Sequence, residues 1–351
     1  MGKVRVAVIG STGYGGVELI RLLLRHPHVE ITSVVSSSNA GESLTDGFPH
    51  LQDVLPVDRL DAVDPALLSS KADVVFAATP SGISSKLVPQ LMNAGLKVID
   101  LSGDFRLKDR SAYELWYKHE APEQSVLERA TYGLTEIYGN QVREAELLSN
   151  PGCYATAATL GLVPAVESGA IDPTTLVIDA KSGVSGAGRG TSLTAHYSEI
   201  NENFKAYKVN NHQHIPEIEM VLSDRLGKPV TTTFTTHLVP MTRGILCTMY
   251  GTVKDERYLQ DEAWIDLYRQ YYAGRKFVRV RKKGTWPATK EVWGSNFCDI
   301  GFSADPRTGR VTILSAIDNL VKGAAGQAVQ NMNVMFGWDE SAGLEGAPAY
   351  P

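Results

Sequence analysis

The run KVRVAVIGSTGYGGVELIRLLLRHPHVEITSVV, residues 3–35, decides the fold. Lys3 to Ile9 is almost continuously apolar and β-branched, the pattern of a strand covered on both faces. It runs straight into GSTGYGG, Gly10 to Gly16. The next stretch, VELIRLLLRHP, carries apolar residues at helical spacing and stops near Pro27, and Val29 to Val35 reads as a second strand. Strand, glycine turn, helix and strand make a βαβ unit. Glycines at 10, 13 and 16 fit a dinucleotide-binding turn, because missing side chains let a pyrophosphate approach the N–H groups at the helix start. Gly10, Ser11, Thr12, Gly13, Tyr14, Gly15 and Gly16 are therefore expected to contact a dinucleotide. A purely structural turn is the plainer alternative, and the strand-to-helix setting weighs against it. No GxxxxGK[ST] stretch occurs, which sets a P-loop nucleotidase aside.

The second strand ends in SSSN, Ser36 to Asn39, with Glu30 near its start rather than its end. An acid at the end would bond ribose hydroxyls, whereas small polar groups such as Ser36 and Ser38 accommodate a 2′-phosphate without repulsion. NADPH/NADP+ is the expected cofactor, and an ordinary polar loop is the alternative. Further along, ADVVFAATPSG and LKVIDLSGDFRL read as two more strands ending in small or polar turns. Asp100 and Asp104 are suited to organise the second turn. Arg106 could face an anion or close a structural ion pair.

With 351 residues, 43% of them hydrophobic and 21% charged, the chain can form two ordinary globular domains. A net charge of -5 gives no overall electrostatic hold on nucleic acid or an anionic membrane. No apolar run approaches the roughly 20 residues that span a bilayer, and the N-terminus lacks a signal-type apolar region, so a cytoplasmic location is expected. Only Cys153, Cys247 and Cys298 occur, without a CxxC pair, which argues against a disulfide scaffold or cysteine–zinc cluster.

The three cysteines sit in different settings. Cys247 in RGILCTMYG and Cys298 in SNFCDIGF lie in strand-like runs where a thiol packs as a small hydrophobe. Cys153 follows the turn Asn150-Pro151-Gly152 and opens the helix-like ATAATLGLVPAV. At a helix's first turn, unpaired amides and the positive helix end favour a thiolate, the species that attacks an acyl carbon. A core residue at a helix entrance remains the alternative. In NNHQHIPEIEMVL, His212 and His214 precede Pro216, which suits the first turn of a helix bearing Glu217 and Glu219. Either histidine has a proton-transfer group's ordinary pKa; zinc is disfavoured because no third and fourth ligands accompany them. SGVSGAGRG, Ser182 to Gly190, offers amides, serines and Arg189 as an anion-friendly lining, or else a mobile linker.

The part through residue 150 reads as a mostly parallel nucleotide domain, completed by residues 320–351, and residues 151–319 as a mixed-sheet domain. Within 320–351, SAGLEGAPAYP is expected to be a surface tail.

GSTGYGG, LSGDFRL, NPGCYATAATLGL, KSGVSGAGRG, NNHQHIPEIE, VPMTRGIL and DNLVKGAAGQA occur in an order that resembles the N-acetyl-gamma-glutamyl-phosphate reductase family. That family lies within the aspartate-semialdehyde-dehydrogenase-like reductases. The resemblance implies α/β plus α+β architecture: a Rossmann-like nucleotide domain with a mixed-sheet catalytic and dimerisation domain. It implies NADPH-dependent reduction of N-acetyl-L-glutamyl 5-phosphate in arginine biosynthesis, by a homodimer or homotetramer. It further implies Cys153 as nucleophile, and His212 as the active-site histidine with His214 as the alternative. Nicotinamide contacts from Ser182, Gly183 and Asn319 follow from it as well, as do Arg106, Arg189 and Tyr207 at the substrate. A carrier-linked aminoadipyl phosphate reductase would share the chemistry, but NPGCYAT is more similar to the arginine-pathway enzymes. Aspartate-semialdehyde dehydrogenase fits the H-x-H-x-P-E segment less well. A nucleotide sensor without catalysis is disfavoured by the intact cysteine, histidines and loops.

Overall fold

The computed structural model describes residues 2–350. The chain divides into two compact units: one takes the chain up to Pro151 together with Ala324–Gly346, the other takes Gly152–Gly323 and the segment from Ala347.

In the first unit β1 (Val4–Ile9), β2 (Val29–Val35), β3 (Val74–Ala77), β4 (Lys97–Asp100), β5 (Ala130–Tyr132) and β6 (Leu147–Ser149) form one sheet. Its order is β2-β1-β3-β4-β6-β5, and every pairing is parallel. Val6, Ala7 and Val8 on β1 and the whole of β3 are buried, as helices on both faces require. The strand order reverses between β1 and β3, where a doubly wound sheet opens a crevice for a ligand. The glycine turn lies there.

Two polar features tie this unit together. The Gly326–Met335 helix buries Gln327, Gln330, Asn331 and Asn333, and buried amides are stable only when bonded. Asn331 Nδ2 donates to the Gly133 carbonyl (2.6 Å) and to Asn150 Oδ1 (3.0 Å), while Asn333 Nδ2 donates to the Ala342 carbonyl (2.9 Å). The Asn333 bond explains why the start of the expected surface tail is covered. Ser341, Ala342 and Leu344 are buried, and Gly343 lies so close to His26 that a Cβ there would stand 2.6 Å from the ring. The sequence division also shifts: residues 320–323 and those from Ala347 group with the second unit, and Ala349 N–H donates to the Trp293 carbonyl (2.9 Å).

In the second unit β7 (Ile171–Ser182), β8 (Lys205–Tyr207), β9 (Thr233–Leu238), β10 (Ile245–Val253), β11 (Val278–Val280), β12 (Cys298–Asp305) and β13 (Arg310–Ile317) form a mixed sheet. Its order is β11-β12-β13-β10-β7-β9-β8; β7/β9 and β11/β12 are parallel and the other pairs antiparallel. The Cys153–Glu167 helix lies against β7, β10 and β13, with every residue from Tyr154 to Val166 buried. A helix apolar on all sides belongs inside a core. Pro164 interrupts its ladder, since proline has no N–H for the carbonyl four residues back. That carbonyl, on Leu160, instead accepts from Tyr272 Oη (2.6 Å), and the adjacent Gly161 carbonyl accepts from Tyr268 Oη.

Sterics at the nucleotide turn separate its glycines. Gly10 has φ +80°, and a Cβ there would sit 2.2 Å from the Ala78 carbonyl oxygen; at Gly16 it would sit 2.3 Å from the Gly10 carbonyl oxygen. At Gly15, in the first turn of the Tyr14–Leu23 helix, nothing lies within 4 Å. Gly16→Ala is expected to destabilise the protein by about 1–3 kcal/mol. Gly15→Ala is expected to be neutral or to stabilise it by up to about 1 kcal/mol. Urea unfolding of the two variants checks the contrast; equal effects would remove the steric explanation.

Candidate active site

The nucleotide turn is built by main-chain bonds to the neighbouring strand. Gly10 and Ser11 N–H both donate to the Val35 carbonyl (3.0 and 3.2 Å), and Val35 N–H donates to Ser11 Oγ (3.0 Å). Ser11 Oγ also donates to the Val8 carbonyl (2.6 Å), so this serine builds the turn and is fully buried. Gly13, in extended conformation, precedes the helix, and no side chain caps its start. A bare, glycine-lined helix start at the strand edge fits a pyrophosphate. The end of β2 is thereby held beside the turn. There Ser36 Oγ accepts from Asn39 N–H (3.3 Å), and Ser38 Oγ donates to Asn39 Oδ1 (2.8 Å).

The turn after β4 is organised by its two aspartates. Asp104 accepts from Gly82 N–H, Ser85 N–H (both 2.8 Å) and Tyr113 Oη (2.8 Å). Asp100 is completely buried, and burial pushes its carboxyl up to about 6, aided by the Asp104 charge and opposed by bonds from Ser84 and Ser102. Arg106 is buried, with Nε donating to the Asn150 carbonyl (2.8 Å) and Nη2 to the Leu101 carbonyl (3.1 Å). These donors serve main-chain carbonyls, a role the sequence reading did not include. Asn150 is bonded on every side: its N–H donates to the Asp100 carbonyl (2.7 Å) and its Nδ2 to the Ala324 carbonyl (3.0 Å), beside the contacts to Arg106 and Asn331.

In the second unit Cys153 is the first residue of its helix and is partly exposed, whereas Cys247 and Cys298 are buried. Burial pushes the Cys247 thiol well above its usual range, so it is inert. Glycines press on both sides of Cys153. A Cβ on Gly152 would lie 2.3 Å from His214 Nε2, and one on Gly323 would lie 2.7 Å from the Cys153 Cβ. Gly323 reaches that position at the end of the loop after β13, where Val321–Ala325 forms a wide helical turn capped by Asp318, which accepts from Leu320 N–H (2.8 Å). Gly152 N–H donates to Glu217 Oε1 (2.7 Å), and Glu217 is fully buried. The sequence placed Glu217 on a helix near the histidines but gave no sign of its partner.

The two histidines differ. His214 lies over Gly152, and its N–H donates to His212 Nδ1 (3.1 Å). An accepting Nδ1 leaves the neutral ring's proton on Nε2. His212 is enclosed by the rings of Tyr154, Tyr207 and Phe234, with centroids 5.3–5.8 Å away. Burial first, and the Lys208 charge second, depress its pKa to about 3, so it is neutral and a weak base near pH 7. Tyr207 Oη donates to Tyr154 Oη (3.1 Å), which donates to the His237 carbonyl (3.2 Å), and burial pushes Tyr207 up to about 12.

The SGVSGAGRG loop is braced rather than open at its start. Gly183, Val184 and Ser185 N–H donate to the carbonyls of Gly244, Met241 and Thr242 (2.9–3.0 Å). Ser182 Oγ donates to the Gly183 carbonyl (3.0 Å). Asn319 bridges the two segments: Oδ1 accepts from Gly244 N–H (2.7 Å) and Nδ2 donates to Ser185 Oγ (3.0 Å). Residues 186–190 are exposed, Arg189 among them.

A family model described as "Semialdehyde dehydrogenase, NAD binding domain" matches residues 5–145, and one described as "Semialdehyde dehydrogenase, dimerisation domain" matches residues 153–319. An N-acetyl-gamma-glutamyl-phosphate reductase of Geobacillus sp. (strain WCH70) is 56% identical over 346 residues, 99% of each chain. The enzyme of that name from Geobacillus stearothermophilus is 54% identical over 353 residues, and the one from Bacillus anthracis 51% over 348, each covering 99% of both chains. Among solved structures, aspartate semialdehyde dehydrogenase II of Vibrio cholerae, complexed with ASA, superposes with a TM-score of 0.72 at 15% identity, over 96% of this chain and 99% of that one. The Candida albicans enzyme with NADP gives 0.71 at 16%, over 95% and 99%. These low identities speak for a shared fold alone. With both units matched and full-length relatives at 51–56% identity, the chain belongs to the N-acetyl-gamma-glutamyl-phosphate reductase family of oxidoreductases.

Proposed function

We propose that the protein reduces N-acetyl-L-glutamyl 5-phosphate to N-acetyl-L-glutamate 5-semialdehyde and phosphate with NADPH, as a step of arginine biosynthesis. The observation that carries this reading is Cys153: the partly exposed thiol among the three, first residue of a buried helix, beside Gly152 and His214. A cytoplasmic assembly of two or four copies accompanies the proposal, in keeping with the matched dimerisation-domain description. Among the described residues no helix is long and apolar enough to cross a membrane.

In this mechanism His214 takes the Cys153 thiol proton, and the sulfur attacks the acyl carbon. The tetrahedral centre collapses, the bond from the acyl carbon to the phosphate oxygen breaks, and phosphate takes the proton from His214 as it leaves, the acyl group remaining on Cys153 as a thioester. Main-chain amides at the helix start oppose the negative charge on the carbonyl oxygen. The dihydronicotinamide, when bound, supplies a hydride to the thioester carbon. Collapse of the resulting thiohemiacetal oxyanion breaks the carbon–sulfur bond, releases the aldehyde and restores the Cys153 thiolate. Gly10 to Gly16 hold the pyrophosphate, and Ser36 and Ser38 border the adenosine ribose. Ser182, Gly183 and Asn319 shape the nicotinamide side, while Arg189 and Tyr207 serve the substrate; Arg106, bonded to the Asn150 and Leu101 carbonyls, shapes the main chain there instead. Proton transfer is assigned to His214 because its ring lies over Gly152, next to Cys153, whereas His212, accepting at Nδ1 and depressed to about 3, is a weak base. His212 then acts as a donor from Nε2.

Cys153→Ser is expected to lower acetylglutamyl phosphate reduction by about a thousandfold or more while NADPH binding is kept. Wild-type protein that reduces a carrier-linked aminoadipyl phosphate instead, with no turnover of the acetylglutamyl substrate, would overturn the assignment. His214→Asn is expected to lower kcat by about 10²–10⁴ with the KM for NADPH little changed. His212→Asn should cost less, and the opposite ranking returns the proton to His212. The pKa of His212 also sets a stability slope. Its folded value lies below the unfolded value of about 6.5, so its contribution is full above that pH and is lost as pH falls towards about 3. Between pH 7 and pH 4 the urea midpoint of wild type is therefore expected to fall more than that of His212→Gln; parallel curves would contradict a neutral His212.

A further inference from the structure

The loop that follows β2 contains a cation whose task the fold does not explain. Between Ser36 and Asp61 the sequence has a single lysine or arginine, Arg59. The segment returns on itself: Ser43 and Arg59 form an antiparallel bridge, Gly41 N–H donates to the Leu60 carbonyl (2.7 Å), and Leu60 N–H donates to the Glu42 carbonyl (2.9 Å). This pairing brings Arg59 back over the loop, so that a Cβ on Gly41 would lie 4.0 Å from Arg59 Nη2. Ser36 N–H donates to the Asp61 carbonyl (3.2 Å), fixing the start of the same loop against the strand-like return. Since Gly10 and Ser11 are bonded to Val35, the loop begins beside the nucleotide turn.

Of the five acids in this segment, Glu42, Asp58 and Asp61 are engaged with other partners. Glu42 Oε2 accepts from Asn39 Nδ2 (2.7 Å), and Asp58 accepts from Ser43 Oγ and Thr45 N–H (2.5 and 2.9 Å). Asp61 is paired with Lys71 (2.7 Å) and accepts from Ser33 Oγ (2.6 Å). Arg59 has no ion pair among the described residues and is exposed. A guanidinium in this state, on a loop with serine hydroxyls and no carboxylate at the strand end, suits a phosphate monoester.

We infer that Arg59 binds the 2′-phosphate of the adenosine half of the cofactor and so sets the choice of NADPH over NADH. The inference rests on the NADPH reading above and adds the residue responsible. Its test is binding rather than turnover: calorimetric titration of the full chain with 2′,5′-ADP and with 5′-AMP. Wild type is expected to bind 2′,5′-ADP at least about tenfold more tightly. Arg59→Gln should erase most of that ratio while leaving the 5′-AMP affinity unchanged, and Arg59→Lys should restore part of it. If wild type prefers 2′,5′-ADP and Arg59→Gln keeps the preference, the NADPH reading stands and the role of Arg59 is overturned. Equal wild-type affinities for the two ligands would overturn both.

Discussion

The start of the Cys153 helix is tied down by the bond from the Gly152 N–H to the buried Glu217 carboxylate. A glutamate in the first turn of a helix ordinarily reaches back to an amide of its own helix. Glu217 holds the residue that precedes a different helix, the one Cys153 opens. A carboxylate hidden from water is costly unless bonded, so this contact fixes the Ile215–Leu226 helix against the start of the Cys153–Glu167 helix. His214, three residues earlier, then packs over the same glycine. One short segment thus sets the entrance of the cysteine helix and delivers an imidazole to it.

Crowding completes what this bond begins. Gly152 leaves room for His214, and Gly323 leaves room for Cys153 itself. Neither glycine is held at positive φ, so the need is for space rather than for a special backbone. The two histidines, alike in sequence, both pack against the Tyr154 ring, but Tyr207 and Phe234 further enclose His212, while His214 lies over Gly152.

Much of this was legible in the sequence because it is local. The βαβ unit followed from apolar runs and glycine spacing, and the inert settings of Cys247 and Cys298 followed from strand-like neighbours. The helix beginning at Cys153 followed from the proline–glycine turn. What could not be read depends on contacts across long separations. Arg106 bonds the Asn150 carbonyl 44 residues away, and Glu217 bonds Gly152 across 65. Nothing in GDFRL or HIPEIE marks such partners. The expected surface tail is largely exposed from Glu345 on but is covered at Ser341, Ala342 and Leu344 for the same reason, since Asn333 and His26, which hold those first residues, lie in other elements. The depressed pKa of His212 likewise arises from enclosure, which a sequence does not display.

The proline in the cysteine helix has a consequence for how this chain can vary. Pro164 leaves the Leu160 carbonyl without its usual partner, and Tyr272, just past the end of the Asp261–Tyr271 helix, supplies one. The two residues are therefore mutually conditional. A tyrosine lost while the proline stays strands a carbonyl in the core, whereas a proline replaced first makes the hydroxyl redundant. Drift at these positions is thus directional: the order of the two changes determines whether the intermediate sequence is a sound fold or a weakened one.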